Sequence, residues 1–385
     1  MCVRQASDFA TAVEQTDWLY ADADTQELTH AVHRYSGKFI PQIAARALVL
    51  LSSEGETVVD PYCGSGTTLV EAARLRRNVL GCDLNPLAVL IAKVKTTPIP
   101  RNRLVELVVR LESMLTPSPT ATLFELSNSE PPSRAGDDSR LTDPWFTKWF
   151  QPHVLASLVE IDAAIESLDI EDERNLAKIA LSDILRRVSN AHSGYPNVMF
   201  DKNAPHKPVP NGLFLSSLRR VCEMVGTLAG TPGAWDEARV LQCDARALPL
   251  PDESVDAVVT HPPYIASIPY AEYGALSLSW LGRDPKKLDK ELTGGRRNSR
   301  DVVDRFKRDY GRMLAESARV LKSGRSAFLM VGNPVVKGEL VDLAEMTLEL
   351  TETAGFKVAA RASRAGLNRR ANKMGAEHLI FVRKP

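Results

Sequence analysis

A short β-branched strand that runs directly into a glycine-rich turn and a helix is the feature that most restricts how this chain folds. Residues 56–60 have strand character, and residues 67–77 have helix-forming composition. A second strand over residues 78–82 ends at Asp83, and Asn85-Pro86 opens a further helix as cap and first-turn residue. Because alternating strands and helices build open parallel sheets, the sequence predicts an α/β fold.

The strand pattern is interrupted by a long helical stretch. Residues 101–235 show mostly helical periodicity, with a polar link over residues 116–143. An aromatic cluster follows this link, and its spacing is that of a helix face packed in a core: Trp145, Phe146, Trp149 and Phe150. We therefore expect a large helical insertion.

Strands resume after the insertion, at residues 238–243, 255–260 and 326–331. Residues 356–362 and 378–383 predict a closing antiparallel pair. The chain is expected to divide into the N-terminal part of a sheet domain (1–100), the helical insertion (101–235) and the C-terminal part of the same domain (236–385).

The composition is that of an ordinary globular protein, with 44% apolar and 25% charged residues in 385. No apolar stretch is long enough to cross a bilayer, and the N-terminus lacks the pattern of a secretory signal. Five cysteines without C-x-x-C spacing argue against a structural zinc site and a disulfide framework. We expect a cytoplasmic protein with neither a metal nor a membrane partner.

Positive charge is concentrated in two segments, although the net charge is zero. Residues 283–312 contain eleven Lys or Arg against six Asp or Glu, and residues 361–374 contain five Lys or Arg and no acid. Such segments either form a phosphate-binding face or are solvated loops. As candidate phosphate contacts they supply Arg296, Arg297, Arg300, Arg369 and Arg370.

Residues 60–67 (Asp-Pro-Tyr-Cys-Gly-Ser-Gly-Thr) form the first candidate ligand site. Gly64 and Gly66 let the backbone approach a ligand, and the following helix offers free N–H groups at its N-terminus. The segment is neither a P-loop nor a dinucleotide fingerprint, and a purely structural tight turn is the alternative.

Acidic residues follow two other predicted strands. Asp83 stands about 20 residues after the turn, where a carboxylate accepts hydrogen bonds from ribose hydroxyls, and Asp244 is placed to meet an adenine amino group. Each acid alone is equally a helix cap. Acids and glycines at successive strand ends of one sheet together favour a ligand site.

Residues 260–264 (Thr-His-Pro-Pro-Tyr) form the most distinctive site. Pro262 and Pro263 stiffen the backbone and leave carbonyl oxygens free to accept, while the Tyr264 ring offers a stacking face. An acceptor beside an aromatic ring suits a flipped base that bears an exocyclic amine. The alternative is a proline-rich loop with a packed tyrosine.

These motifs together resemble those of the amino-methylating DNA methyltransferases. Residues 60–68, 81–85 (Gly-Cys-Asp-Leu-Asn) and 260–264 resemble the family's S-adenosyl-L-methionine and catalytic motifs. Residues 33–42 (His-Arg-Tyr-Ser-Gly-Lys-Phe-Ile-Pro-Gln) look like the element that closes over the methionine end of the cofactor. Residues 265–282 and 377–385 resemble cytosine-N4 members with a Thr-Ser-Pro-Pro-Tyr motif.

The resemblance implies a Rossmann-like S-adenosylmethionine-dependent methyltransferase sheet with a helical insertion, and S-adenosylmethionine as cofactor. It implies that His261, Pro262, Pro263 and Tyr264 act on the base. The implied cofactor contacts are Tyr35, Lys38, Phe39, Asp60, Tyr62, Gly64, Gly66, Thr67, Asp83, Leu84, Asp244, Ala245 and His261.

His261 departs from the family pattern, because Ser, Asp or Asn precedes Pro-Pro-Tyr in other members. Ser usually accompanies cytosine and Asp accompanies adenine. We expect methylation of cytosine N4. Adenine N6, guanine N2 in RNA, and a catalytically inactive nucleic-acid-binding protein are the alternatives. His261 either accepts the released proton or only packs.

The implied partner is double-stranded DNA with one base flipped out, and the family also allows a cognate restriction endonuclease. The helical insertion is expected to form one wall of a DNA cleft. Its polar, turn-rich residues 189–207 are the part expected to touch nucleic acid.

Overall fold

A computed structural model describes residues 2–38, 40–116, 138–195, 197–266, 268–295, 300–365 and 375–385. Their strands form a seven-stranded sheet in the order β3-β2-β1-β4-β5-β9-β8 and a two-stranded hairpin, β6-β7. The strands are β1 (Thr57–Asp60), β2 (Asn78–Asp83), β3 (Ala238–Gln242), β4 (Val255–Thr260), β5 (Leu321–Gly332), β6 (Val335–Val336), β7 (Glu339–Leu340), β8 (Lys357–Ala365) and β9 (Ala376–Arg383).

The first five strands run parallel, and β9 enters antiparallel between β5 and β8. The chain leaves β1 for one edge of the sheet and returns from β3 to β4 on the other side of β1. A crevice forms at such a reversal of strand order, at the carboxyl ends of the strands. The predicted α/β fold and its closing antiparallel pair are confirmed.

The helices are α1 (Cys2–Glu14), α2 (Pro41–Leu51), α3 (Thr67–Arg74), α4 (Pro86–Thr96), α5 (Arg101–Leu115), α6 (Pro144–Trp149), α7 (Pro152–Glu166), α8 (Glu171–Val188), α9 (Asn211–Gly226), α10 (Tyr270–Tyr273), α11 (Ala275–Trp280), α12 (Pro285–Glu291), α13 (Val302–Val320) and α14 (Leu343–Thr353). None of them, within the described residues, is long and apolar enough to cross a membrane.

Separate cores cover the two faces of the sheet. Residues of α1, α2 and α3 pack on one face, and residues of α13 and α14 pack on the other. Both faces of the central strands are therefore shielded from solvent, which explains why β4 is buried along its whole length.

Helix α4 connects the sheet to the helical insertion. Val89 and Ala92 face the sheet core, whereas Leu90 and Ile91 pack with helices α5, α7, α8 and α9. Leu278 of α11 joins that second core from the C-terminal part of the chain. The insertion therefore shares one apolar core with the residues that flank it on both sides.

Some predicted boundaries differ from the observed ones. Helix α3 ends at Arg74 instead of residue 77, because Arg76 adopts a left-handed backbone with φ +61°. Strand β5 begins at Leu321, five residues earlier than predicted, and pairs there with Val255. The aromatic cluster packs as expected, since Phe146, Trp149 and Phe150 are buried.

Candidate active site

A cavity lies at the carboxyl ends of the parallel strands. The loops after β1, β2, β3 and β4 line it, together with the segment before α2 and the segment after α12. It collects most of the predicted cofactor residues: Tyr35, Lys38, Asp60, Tyr62, Gly64, Thr67, Asp83, Leu84, Asp244, Ala245 and His261. Phe39 lies outside the described residues, and Gly66, Pro262 and Tyr264 do not line the cavity.

Asp60 connects the glycine-rich turn to the end of β4. Its Oδ1 accepts hydrogen bonds from Thr260 Oγ1 at 2.7 Å and from the backbone N–H of Tyr62 at 3.1 Å. Burial raises the pKa of Asp60 to about 6, although these hydrogen bonds oppose the shift. The carboxylate thus fixes the first motif against the end of β4.

The two glycines of the turn have different roles. The backbone N–H of Gly64 donates to Asp83 Oδ2 at 2.9 Å, which joins the first motif to the second. Gly66 has φ +79°, and a Cβ there would lie 2.9 Å from the Cβ of Ala92. Gly66 therefore allows helix α4 to approach the turn, and the expected cofactor contact at Gly66 stays a prediction.

Backbone N–H groups fix the orientation of the Asp83 carboxylate. Its Oδ1 accepts from the backbone N–H of Asn85 at 2.8 Å, and burial raises the pKa of Asp83 to about 6 against these hydrogen bonds. Each carboxylate oxygen keeps a lone pair for another donor, so the geometry suits the hydroxyls of a ribose.

Asp244 is already engaged by an arginine. Arg246 binds it through Nε and Nη2, the closest contact being 2.7 Å to Oδ2, and Arg246 Nη1 also reaches Asp309 at 3.0 Å. Burial raises the pKa of Asp244, but Arg246 outweighs burial and holds this pKa below its usual value. The carboxylate is therefore neutralised within the protein, which the sequence interpretation did not foresee.

A disulfide joins the residues that precede the two acids. Cys82, the penultimate residue of β2, is bonded to Cys243, which follows β3. This single bond is not the disulfide framework that the sequence argued against, and the spacing of the cysteines did not indicate it. The two residues are 161 positions apart, and only the parallel pairing of β2 and β3 brings them together.

The segment before α2 closes the cavity on another side. The Tyr35 ring stacks on Tyr270 with centroids 6.0 Å apart, and a Cβ at Gly37 would lie 2.6 Å from Tyr270 Oη. Lys38 Nζ donates to the carbonyl oxygen of His30 at 2.7 Å, and burial lowers the pKa of Lys38. A cation beside the turn suits the carboxylate of a bound amino acid.

The loop after β4 places His261 and Pro263 in the cavity, and Tyr264 is buried. Tyr264 is 6% exposed, and its Oη lies 2.7 Å from His261 Nε2. The two rings meet edge to face with centroids 5.1 Å apart. Burial lowers the pKa of His261 to about 4, so the imidazole is neutral at pH 7.

A family model for N6- and N4-type DNA methylases matches residues 14–94, which include the first two motifs. The type II methyltransferase M.MvaI of Kocuria varians is 26% identical over 381 residues, covering 83% of this chain and 80% of that protein. The chain is thus similar to amino-methylating DNA methyltransferases along most of its length.

Two further relatives show how far the similarity extends. The type II methyltransferase M.BsoBI of Geobacillus stearothermophilus is 24% identical over 284 residues, covering 69% of this chain and 55% of that protein. A tRNA (guanine(10)-N2)-dimethyltransferase of Methanocaldococcus jannaschii is 33% identical over 78 residues, covering 20% of this chain and 21% of that protein.

The cofactor of this methyltransferase is S-adenosylmethionine, and the cavity fits it. Ser65 Oγ and Thr67 Oγ1 are buried hydroxyl oxygens of the cavity wall that have no hydrogen-bond partner within the described residues. Together with Lys38 they would hold the methionine carboxylate, while Asp83 would hold the ribose. When bound, S-adenosylmethionine supplies an electrophilic methyl group on a sulfonium.

Several cavity residues of the methyltransferase were missed in the sequence. Tyr62 Oη lies 3.1 Å from Thr293 Oγ1, and Arg246 reaches the carbonyl oxygen of Glu291 at 3.3 Å, so the segment after α12 covers this end of the cavity. Tyr270 lies opposite Tyr35. Arg246 stands two residues after a predicted strand-end acid, a spacing that points to a local ion pair.

Only one of the arginines predicted to contact DNA lies within the described residues. Arg300 is exposed, while Arg296, Arg297, Arg369 and Arg370 lie outside the described residues. Arg364, in the second basic segment, is buried and paired with Glu377, so it is not available for a phosphate.

A larger groove runs beside the loop after β4 of the methyltransferase. Trp145, Trp149 and Val198 of the helical insertion form one wall, and the β6-β7 hairpin contributes residues 335–337 to the other. Ala266 and Pro269, which follow the catalytic motif, line the groove between them.

Proposed function

We propose that this methyltransferase transfers a methyl group to the exocyclic amine of a flipped base in DNA, and that the base is cytosine, methylated at N4. The arrangement of the loop after β4, which is the proposed catalytic loop, supports this most directly. His261 and Pro263 line the same cavity as Asp83 and Lys38, so the loop stands beside the predicted cofactor position.

The reaction needs orientation more than a nucleophile from the protein. The carbonyl oxygen of Pro262 accepts an N–H of the amine and leaves the nitrogen lone pair directed at the methyl group. With S-adenosylmethionine bound, a nitrogen–carbon bond would form as the sulfur–carbon bond breaks, and the nitrogen would then lose one proton. Positioning and electrostatics then provide most of the rate enhancement.

His261 and Tyr264 complete this arrangement. A pKa of about 4 leaves the imidazole neutral at pH 7, which suits hydrogen bonding but makes His261 a weak acceptor for the departing proton. Tyr264 is the proposed stacking partner of the base. Because its ring is buried, a base reaches its face only if the surrounding packing opens.

Cytosine is favoured over adenine by one sequence feature, because residues 265–282 resemble cytosine-N4 members. His261 itself does not discriminate, since it replaces both the Ser that usually accompanies cytosine and the Asp that accompanies adenine. Similarity to type II methyltransferases along most of the chain supports duplex DNA as substrate and a cognate restriction endonuclease as partner. The groove beside the loop, with the helical insertion as one wall, offers the duplex a place to bind.

A guanine-N2 activity on RNA is the second candidate, because a short match extends to a tRNA methyltransferase. That match covers only 20% of this chain, whereas the match to M.MvaI covers 83%. The longer relationship favours DNA.

Product analysis separates these candidates. Duplex DNA and tRNA are each incubated with protein and methyl-labelled S-adenosylmethionine, digested to nucleosides and separated. We expect N4-methylcytosine from DNA and no labelled product from tRNA. N6-methyladenine as the sole product would contradict the cytosine proposal. Cofactor binding without label in either nucleic acid would identify an inactive binding protein.

A further inference from the structure

A buried chain of polar side chains extends from the catalytic loop into the edge of the sheet. The Tyr264 hydroxyl contacts His261 Nε2 at 2.7 Å. Glu377 lies beside this hydroxyl, because it pairs with Gly332, whose Cβ position would be 3.4 Å from Tyr264 Oη. Arg364 Nε lies 3.2 Å from Glu377 Oε2. Four side chains from three separate parts of the sequence therefore lie next to one another in series.

The last two members come from the antiparallel pair that closes the sheet. Arg364 of β8 and Glu377 of β9 face each other across the strands, and Glu377 also pairs with Gly332 at the end of β5. A Cβ at Gly332 would lie 3.2 Å from the Tyr264 ring, so the absent side chain leaves room for the tyrosine. The end of β5 thus leaves space for the Tyr264 ring.

Stability alone does not explain why Arg364 and Glu377 are buried together. The Arg364 side chain is 5% exposed and that of Glu377 14%, and burying an ion pair is often no better for stability than burying apolar residues. Burial raises the pKa of Glu377, and Arg364 opposes this shift by favouring the carboxylate. A carboxylate held in place orients a hydroxyl that lies beside it.

We propose that Glu377 and Arg364 are positioning residues for methyl transfer, because they fix the Tyr264 hydroxyl and, through it, the His261 ring. The inference rests on the proposed function for what the loop does to the base. It explains how a histidine works where other family members have a smaller residue. The bulkier ring has a dedicated partner, and that partner is anchored from the C-terminal strands.

The first test observes His261 without any nucleic acid. Protein with 15N-labelled histidine is compared as wild type, Glu377→Gln and Glu56→Gln by the ring-nitrogen signals of His261. Glu56 pairs with Arg325 at 2.5 Å at the opposite end of the sheet and is the matched control. We expect Glu377→Gln to shift the His261 signals and Glu56→Gln to leave them unchanged. The groups facing Tyr264 that influence such a shift are Glu377, Arg364, Tyr270 and Tyr310.

The second test measures turnover on the nucleic acid that the product analysis identifies. We expect Glu377→Gln and Tyr264→Phe each to lower kcat about tenfold, the size of effect that misorientation produces, with S-adenosylmethionine affinity unchanged. Because both act through one link, the double variant should lose little more than either single variant, whereas independent effects would multiply to about a hundredfold.

Any of three results would overturn the proposal. The first is a Tyr264→Phe variant with the full rate, and the second is a Glu377→Gln variant with unshifted His261 signals. The third is a double variant whose loss of kcat is the product of the two single losses. Tyr264→Phe removes only one oxygen atom and should leave the fold intact. It therefore still tests the proposal if Glu377→Gln folds poorly. The His261 signals report on the link even if the substrate is not cytosine, which separates failure here from failure of the proposed function.

Discussion

Asp60 and Asp83 are buried carboxylates whose pKa values both lie near 6. Burial is the largest cause for each, and hydrogen bonds only partly offset it. A carboxyl group whose folded-state pKa is raised stabilises the fold below the unfolded pKa, and this contribution is lost as pH rises through the folded value. Below pH 4 both groups are neutral, and above pH 6 each places a charge in the turn.

We therefore expect Asp60→Asn to change the pH dependence of stability. The amide keeps an oxygen for Thr260 but never ionises, so the advantage of the variant should grow by up to roughly 3 kcal/mol between pH 4 and pH 8. Urea unfolding across this range measures the difference, and Asp22→Asn on the surface is the control. A difference that stays constant with pH would contradict the assignment.

At the same scale, the sequence predicted which residue types gather in the cavity but not how they pair. Asp83 and Asp244 were identifiable because they end predicted strands, and parallel strands end at one edge. The spacing of Asp244 and Arg246 is local, but the extension of their ion pair to Asp309 depends on how α13 packs on the sheet. The inward turn of Tyr264 depends on Gly332 and Glu377, which lie far away in the sequence.

The contact between the glycine-rich turn and α4 sets the position of the cofactor site relative to the helical insertion. Gly66→Ala should destabilise the protein by about 1–2 kcal/mol from the left-handed backbone and by a further 1–3 kcal/mol from the clash with Ala92. Gly55→Ala isolates the first effect, because Gly55 has φ +78° and nothing within 4 Å of its Cβ position.

Thermal unfolding of both variants measures the contribution of the close approach. Gly66→Ala should also weaken S-adenosylmethionine binding, since the turn must shift away from α4, whereas Gly55→Ala should leave affinity unchanged. Equal destabilisation by the two substitutions would show that packing against α4 contributes nothing.

The elements that the sequence predicted well are those with strong local signals. Asn85 caps α4 through its side chain, with Pro86 in the first turn, as expected. Strand ends were predicted less well. The early start of β5 has no local signal, because it comes from pairing with Val255 across the sheet. The β6-β7 hairpin, of two residues a strand, was not predicted at all.

At the scale of the whole molecule, helix α4 joins the helical insertion to the sheet. A loop of the insertion, within residues 189–207, lies beside the groove. The Arg186 guanidinium contacts the carbonyl oxygens of His192, Tyr195 and Asn197, and Tyr195 remains 55% exposed. Val198 of the same loop lines the groove. Contact between residues 189–207 and nucleic acid stays a prediction, and this geometry supports it.

A photo-crosslinking residue in place of Tyr195 should therefore form a covalent adduct with duplex DNA. The control carries the same residue at Val109 of α5, which is 60% exposed and does not line the groove. We expect an adduct at position 195 at least several times more abundant than at position 109, on a denaturing gel. Equal yields would place the duplex elsewhere.

The bond between Cys82 and Cys243 turns a linear polymer into one that contains a ring. The ring encloses α4, α5 and the entire helical insertion, while the catalytic motif and both chain ends remain outside it. A single proteolytic cut between these cysteines therefore yields no separate fragments until a thiol reagent is added. On a denaturing gel the nicked, unreduced protein should migrate as one species, and the same sample after reduction should migrate as two.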